Sequence, residues 1–343
     1  MKIAELVKIG KISYREVPKP HAGPGEIVLK TQAVGLCGTD VKAYFKGHPY
    51  FAPPCILGHE FTGTIVEVGP EVDRFDGGER VVVAPYVECG VCDLCQHGLG
   101  EMCKHKAFVS GAFQEFILVP RAIVEQGTFR LETDVDFSVG SLAEPLACVH
   151  NGIDKAGVSK GDAVLVIGGG PMGVMLALLA RTKGAQVLLS EISASRIEAA
   201  RRLGLEVVSP QEESLVERMI TVLGRDKADR ILVAVGSKTV VETAFDMATP
   251  GGRVLLFGGL PKGDRVCIDA FAVHYNEISL AGSFGYNLRQ FEEAVRWLTN
   301  HAQDLSGIIT HTVAFSEIER GMQLAKEAKG LKIVIDFAKE AEL

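Results

Sequence analysis

Short apolar runs with turn punctuation mark the first part of the chain. EIVLKTQAV (26–34), GTIVEVG (63–69), ERVVVAP (79–85) and QEFILVP (114–120) are separated by Gly, Pro and Asp. Runs of this length and spacing predict a compact β-rich domain. Near residue 150 the pattern changes to β-type runs alternating with helical ones. AVLVI (163–167) leads to a helix from Pro171, and QVLLS (186–190) to a helix through Arg201. LEVVS (205–209), DRILVAV (229–235), GRVLLFG (252–258) and ISLAG (278–282) continue the series, with helices expected near 211–223 and 238–248. That alternation predicts an α/β doubly wound parallel sheet with helices on both faces. Beyond 286 a helix (287–300) precedes the strands HTVAF (311–315) and KIVIDF (332–337), which are expected to rejoin the first domain.

Residues 163–180 form an uncharged stretch of eighteen, at the lower length limit for a membrane span. GGGP breaks it in the middle, so it reads as a buried strand followed by a helix, and no membrane segment is expected. The chain is 47% hydrophobic and 23% charged, as an ordinary globular protein is. A net charge of −7 without a basic block gives no reason to expect a nucleic-acid or anionic-membrane partner. The start, MKIAELVKIGKISYREV, lacks a signal-peptide pattern. Eight cysteines, four of them clustered, suggest the reducing cytoplasm rather than a disulfide framework.

The AVLVI strand runs directly into Gly168-x-Gly170-x-x-Gly173. The first glycine allows a tight turn, the second close approach to a pyrophosphate, and the third close packing of helix on strand. Pro171 suits the first helical turn, and the helix start at Pro171, Met172 and Gly173 offers free N–H groups to phosphates. Met172 and Met175 themselves read as core filler. Glu191 ends the next strand, eighteen residues after Gly173, where a carboxylate grips the ribose hydroxyls of NAD and repels a 2′-phosphate. Arg196, five residues on, is suited either to a phosphate or to stacking on adenine.

Cys89, Cys92, Cys95 and Cys103 have the spacing C-x2-C-x2-C-x7-C in one loop. Four thiolates close a tetrahedral shell around a structural zinc. The bacterial iron–sulfur run has its fourth cysteine after three residues, followed by Pro; here the gap is seven and Lys104 follows. Cys55, Cys148 and Cys267 have no partner pattern and read as small buried residues. A second set, Cys37-Gly38-Thr39-Asp40, Gly58-His59-Glu60 and Ala143-Glu144-Pro145, contains the thiolate, imidazole and carboxylate of a catalytic zinc site with one position open.

With CGTD (37–40), GHEFTGTIVEVG (58–69), the four-cysteine lobe, AEPLA (143–147) and VIGGGPMG (166–173) in that order, the chain resembles the zinc-dependent medium-chain alcohol/polyol dehydrogenases over almost its whole length. The resemblance implies a GroES-like β-rich catalytic domain (1–148 and 286–343) with a zinc lobe at about 86–106, and a Rossmann NAD-binding domain (149–285). It implies two zinc ions per chain, one catalytic and one structural, NAD as cofactor, and a homotetramer or homodimer. By position, Cys37 and His59 correspond to direct zinc ligands and Glu144 to the third. Glu60 corresponds to a residue that binds zinc in some members and lies beside it in others. Asp40 corresponds to the carboxylate orienting the zinc histidine, and Thr39 to the hydroxyl that takes the alcohol proton. Members with a histidine five residues after the zinc cysteine use it as the next relay step; this chain has Lys42 there.

The GHE and EPL forms point to a secondary alcohol of a polyol, sugar alcohol or inositol. Phe284-Gly285-Tyr286 stands where sorbitol dehydrogenases carry Phe-Arg-Tyr, which argues against sorbitol itself. Lys46, His48 and Tyr286 are the candidate substrate residues, with solvated-loop roles open for the first two. L-Threonine 3-dehydrogenase shares nearly all these motifs and is the alternative. A zinc-free quinone reductase is disfavoured by the cysteine lobe and the Cys37/His59 pair, and a non-enzymatic binding scaffold by the intact shell.

Overall fold

A computed structural model describes residues 1–339. The chain divides into two compact units, one of residues 1–147 with the chain from Tyr286 onward, the other Cys148–Gly285.

In the first unit the central sheet follows the order Thr128–Arg130, Arg80–Val83, Glu60–Val68, Ile27–Gly35, Lys332–Asp336, Ile309–Ala314. The strand Phe116–Val119 also pairs with Ile27–Gly35. Neighbours run antiparallel except the last two, which are parallel. A parallel pair needs a crossover, and the helix Ile318–Lys326 supplies it. The carboxyl-terminal strands thus return to the first domain, with Val334 opposite Gly35. Gly35 in turn faces Glu60 across the next ladder. Strand Ile27–Gly35 is buried at every position except Lys30 and Gln32, as a strand covered on both sides over most of its length should be.

The second unit is a six-stranded, all-parallel sheet in the order Glu206–Val208, Gln186–Ser190, Ala163–Ile167, Ala228–Val233, Ala248–Leu256, Ser279–Gly282. In chain order that is 3-2-1-4-5-6, the doubly wound arrangement with its switch point beside Ala163–Ile167. The uncharged stretch at 163–180 resolves into that strand and the helix Pro171–Thr182. No helix among the described residues is long and apolar enough to cross a membrane. Met175 is fully buried, and Met172 only half so. The lone cysteines correct one expectation: Cys267 is exposed, and Cys55 and Cys148 are half-buried. Cys267 lies in the loop after Ala248–Leu256, its N–H donated to Glu242.

Candidate metal centre and dinucleotide loop

The sequence CGTD folds into a helix start. Cys37 caps the helix Gly38–Lys46, its sulfur receiving the Thr39 N–H at 3.4 Å. Asp40 closes the reciprocal bond, accepting the Cys37 N–H on Oδ2 at 3.1 Å. Its other oxygen accepts the Gly58 N–H at 3.1 Å and lies 3.5 Å from His59 Nδ1. One fully buried carboxylate therefore ties the CGTD turn to the GHE turn.

Cys37, His59 and Glu60 each bring one ligand atom to within 4.8 Å of the others. Burial works against a charged His59, but Asp40 and Cys37 outweigh it and hold its pKa well above the ordinary histidine value. Burial alone would raise the Asp40 pKa; His59 and the two backbone N–H groups bring it below the usual range. Glu144 lies in the first turn of the helix Ala143–Ala156. Burial, opposed by His59 but reinforced by the charges of Glu60 and Asp40, pushes its pKa up to about 7. A pocket that draws a proton onto imidazole beside thiol and carboxylates suits a dication in the proton's place. The donor set of one sulfur, one nitrogen and oxygen is that of catalytic zinc. Glu60 and Glu144 are both near this shell, and the ligand group that closes in space contains Glu60.

The second cluster is the loop carrying the short helix Asp93–Gln96 and the turn Gly100–Met102, framed by the pair Tyr86–Val87 and Ala107–Phe108. Its sulfurs stand 3.5 Å (Cys92–Cys95 and Cys103–Cys89), 3.8 Å (Cys92–Cys103) and 4.0 Å (Cys89–Cys95) apart. A tetrahedron with Zn–S bonds of about 2.3 Å has edges of about 3.8 Å. The sulfurs fit zinc, and the N–H groups of Cys89 and His105 point at Cys103 Sγ.

In the second unit, Gly168 has φ +105°, and a side chain there would collide with Val235. A side chain on Gly173 would strike the Gly168 carbonyl, so that glycine sets the approach of helix to strand. Gly170 caps the helix, and the nearest atoms to a Cβ there belong to Arg196, at 3.8 Å. Among the described residues, chain neighbours apart, no other atom lies within 4 Å of that position. Glu191 is 6% exposed and braces the loop: Oε2 accepts the Gly169 N–H at 2.7 Å, Oε1 those of Ile192 and Ser193 at 2.6 and 2.9 Å.

The candidate substrate residues separate. Lys46 is exposed in the last turn of Gly38–Lys46. His48 is half-buried against Tyr50 and Phe51, and the Phe51 ring lies parallel to His59 at 6.4 Å. Burial and the charge of Lys42 lower the pKa of His48. Tyr286 is a correction: its side chain is fully buried, stacked on Tyr86 at 4.6 Å and against Phe291, so it cannot touch a substrate. Its backbone does the bonding, accepting from and donating to the Tyr86 hydroxyl. Lys332, which no motif singles out, is buried in an ion pair with Glu60. The only hint in the sequence is a charge opening the otherwise apolar run KIVI.

Residues 23–127 match the alcohol dehydrogenase GroES-like domain, and residues 171–300 the zinc-binding dehydrogenase domain. D-altritol 5-dehydrogenase of Agrobacterium fabrum is 32% identical, over 93% of this chain and 94% of its own. An L-threonine 3-dehydrogenase of Rhizobium etli is 29% identical over 94% of each. A zinc-binding dehydrogenase from Sinorhizobium meliloti, whose crystal structure holds NADP, superposes with a TM-score of 0.89 at 31% identity over 98% of each chain. The chain belongs to the zinc-dependent medium-chain dehydrogenase family. It is an oxidoreductase that uses zinc and a nicotinamide cofactor.

Proposed function

We propose that this enzyme oxidises a secondary alcohol of a polyol, sugar alcohol or inositol-type substrate to the ketone, reversibly, with NAD. The observation that carries this reading is the Cys37/His59/Glu60 ligand group with Glu144 beside it, in a chain that also carries the Gly168–Gly173 loop. Zinc, when bound, supplies Lewis acidity toward an alcohol oxygen, and the nicotinamide accepts the hydride. Cys37, His59 and a carboxylate, Glu60 or Glu144, hold the metal. Asp40 fixes the His59 ring by its Nδ1 side, leaving Nε2 for the metal. Thr39, in the first turn of its helix, takes the alcohol proton on its hydroxyl. Lys42 is exposed, so beyond Thr39 the proton passes to water. Gly168, Gly170 and Gly173 cradle the pyrophosphate, and Glu191 favours NAD over NADP by its charge beside the ribose. Arg196, next to Gly170, is the residue that a 2′-phosphate would use instead.

The relative named D-altritol 5-dehydrogenase supports the polyol substrate class. L-Threonine is the second reading, supported by the L-threonine 3-dehydrogenase of similar coverage. Two zinc ions per chain are proposed from the two ligand groups. Homodimer or homotetramer assembly is proposed, with one contact at the sheet edge Ser279–Gly282, where Leu280, Phe271, Tyr275 and Phe284 expose apolar surface. Eight cysteines, four of them gathered in one metal-type cluster, fit the cytoplasm. The test is NADH formation by purified protein with sorbitol, xylitol, galactitol, altritol, inositols, sugar-alcohol phosphates and L-threonine. Turnover on a polyol supports the reading, threonine alone replaces it with the second, and silence on all with zinc present refutes both.

A further inference from the structure

Lys332 opens the strand Lys332–Asp336 and is 3% exposed; its ion-pair partner Glu60 is 1% exposed. Burying two charges is costly unless they are held together. The fold makes room for this pair. Gly35 lies between the two strands, opposite Glu60 in one ladder and opposite Val334 in the other. Lys332, two residues before Val334, shares its face of the sheet. A side chain on Gly35 would collide with the Glu60 carboxylate and stand 2.9 Å from Lys332 Cε. Three strands, from opposite ends of the chain, converge to seat one ammonium against one carboxylate.

The position of this charge matters because the shell has a surplus of donors. Cys37, His59, Glu60 and Glu144 are four ligands by type, and four ligands close a tetrahedral zinc as a structural site is closed. A catalytic site must hold one donor back so that substrate can enter. Of the two carboxylates, Glu60 has its oxygen within reach of the common ligand point and is also the one the lysine grips.

We propose that Lys332 is the positioning residue of the catalytic metal centre: by pairing with Glu60 it keeps that carboxylate from closing the coordination position that the substrate hydroxyl needs. This rests on the zinc reading above. It goes beyond that reading by naming a residue that no ligand motif contains.

The test follows zinc release from the holoenzyme to a chelator, which needs no turnover. The metal of the cysteine lobe gives a separate phase that serves as internal control. In Lys332→Met, Glu60 is free to bind the metal, and the catalytic-site phase slows by about tenfold, the scale on which outer partners change metal affinity. Lys332→Arg keeps the wild-type rate. Glu60→Gln/Lys332→Met, a neutral pair that leaves no bare charge, returns the rate to within about twofold of wild type. KM for the alcohol rises in Lys332→Met and not in Lys332→Arg. Should Lys332→Met fail to fold, Lys332→Gln keeps a donor for Glu60 without the charge and slows release in the same direction. Unchanged or faster release in the single variants, or slowing that persists in the double variant, overturns the proposal. A wild-type enzyme with zinc in the lobe alone would sink the catalytic-zinc reading and this inference together. Zinc in both sites with unaltered rates would sink only the inference.

Discussion

Asp40 Oδ1 lies 3.5 Å from His59 Nδ1 while its carboxylate also accepts the N–H groups of Cys37 and Gly58. A single buried anion thus sets the ring orientation of one ligand and the backbone of both ligand turns. Asp40→Asn keeps the shape and removes the charge. Zinc affinity at this site is expected to fall about 10- to 100-fold, with a stability loss of about 1–3 kcal/mol from weakened buried bonds. Competition with a chelator and denaturant unfolding measure the two. Wild-type zinc affinity in this variant would mean that Asp40 does not orient His59.

Cys37→Ala removes the sulfur that receives the Thr39 N–H and that is proposed as a metal ligand. Turnover is expected to vanish and zinc content to drop by one per chain, with the lobe zinc retained. Metal analysis alongside NADH formation decides this. Activity with full zinc content would remove Cys37 from the ligand set.

Cys92→Ser should act on stability, because four sulfurs, with neighbouring contacts of 3.5–4.0 Å, complete a four-ligand set by themselves. Tm is expected to fall by about 5 °C or more, corresponding to a loss of about 2 kcal/mol. The catalytic zinc should remain. A Tm equal to wild type would count against a structural metal.

The division of labour between sequence and structure is visible in these residues. The doubly wound sheet was legible because strands such as Ala163–Ile167 and helices such as Pro171–Thr182 are local periodic patterns closed by turn residues. The two cysteine-containing groups were legible because Cys89 to Cys103 fall within one loop, and because CGTD and GHE are each continuous. What stayed hidden is non-local. Lys332 meets Glu60 only through the pairing of Lys332–Asp336 with Ile27–Gly35, a contact between opposite ends of the chain that no short motif records. Tyr286 erred for the same reason. Its place after Phe284-Gly285 suggested a substrate contact, whereas Tyr86 and Phe291 bury it in the core.

Glu191 accepts three backbone N–H groups, including that of Gly169 in the phosphate loop. Glu191→Ala should therefore weaken cofactor binding in general and erode the preference for NAD in particular, since the repulsion of a 2′-phosphate goes with the carboxylate. The ratio of kcat/KM for NAD to that for NADP is expected to fall about tenfold or more, on the scale of 1.4 kcal/mol per factor of ten. If Arg196→Ala abolishes the remaining NADP activity in that background, the guanidinium is its phosphate partner. A ratio unchanged by Glu191→Ala would leave specificity to other residues.

The metal centre should make zinc's contribution to stability depend on pH in one direction. Without metal, the pKa of Glu144 stands at about 7 and that of His59 well above its ordinary value. Both shifts are upward, so each group stabilises the metal-free fold fully at low pH, below its unfolded value. That contribution is lost as pH rises through the folded value, near 7 for Glu144 and through the raised value for His59. Asp40 shifts downward and acts only at lower pH. Zinc binding requires the same ligands deprotonated, so protons compete with it in the same window. The Tm difference between zinc-loaded and metal-free enzyme is therefore expected to widen as pH is raised from about 5 to 8, and Glu144→Gln should flatten part of that rise. Calorimetry of both forms across this range measures it. A difference that is constant or narrows with pH would show that neither His59 nor Glu144 gives up a proton to the metal.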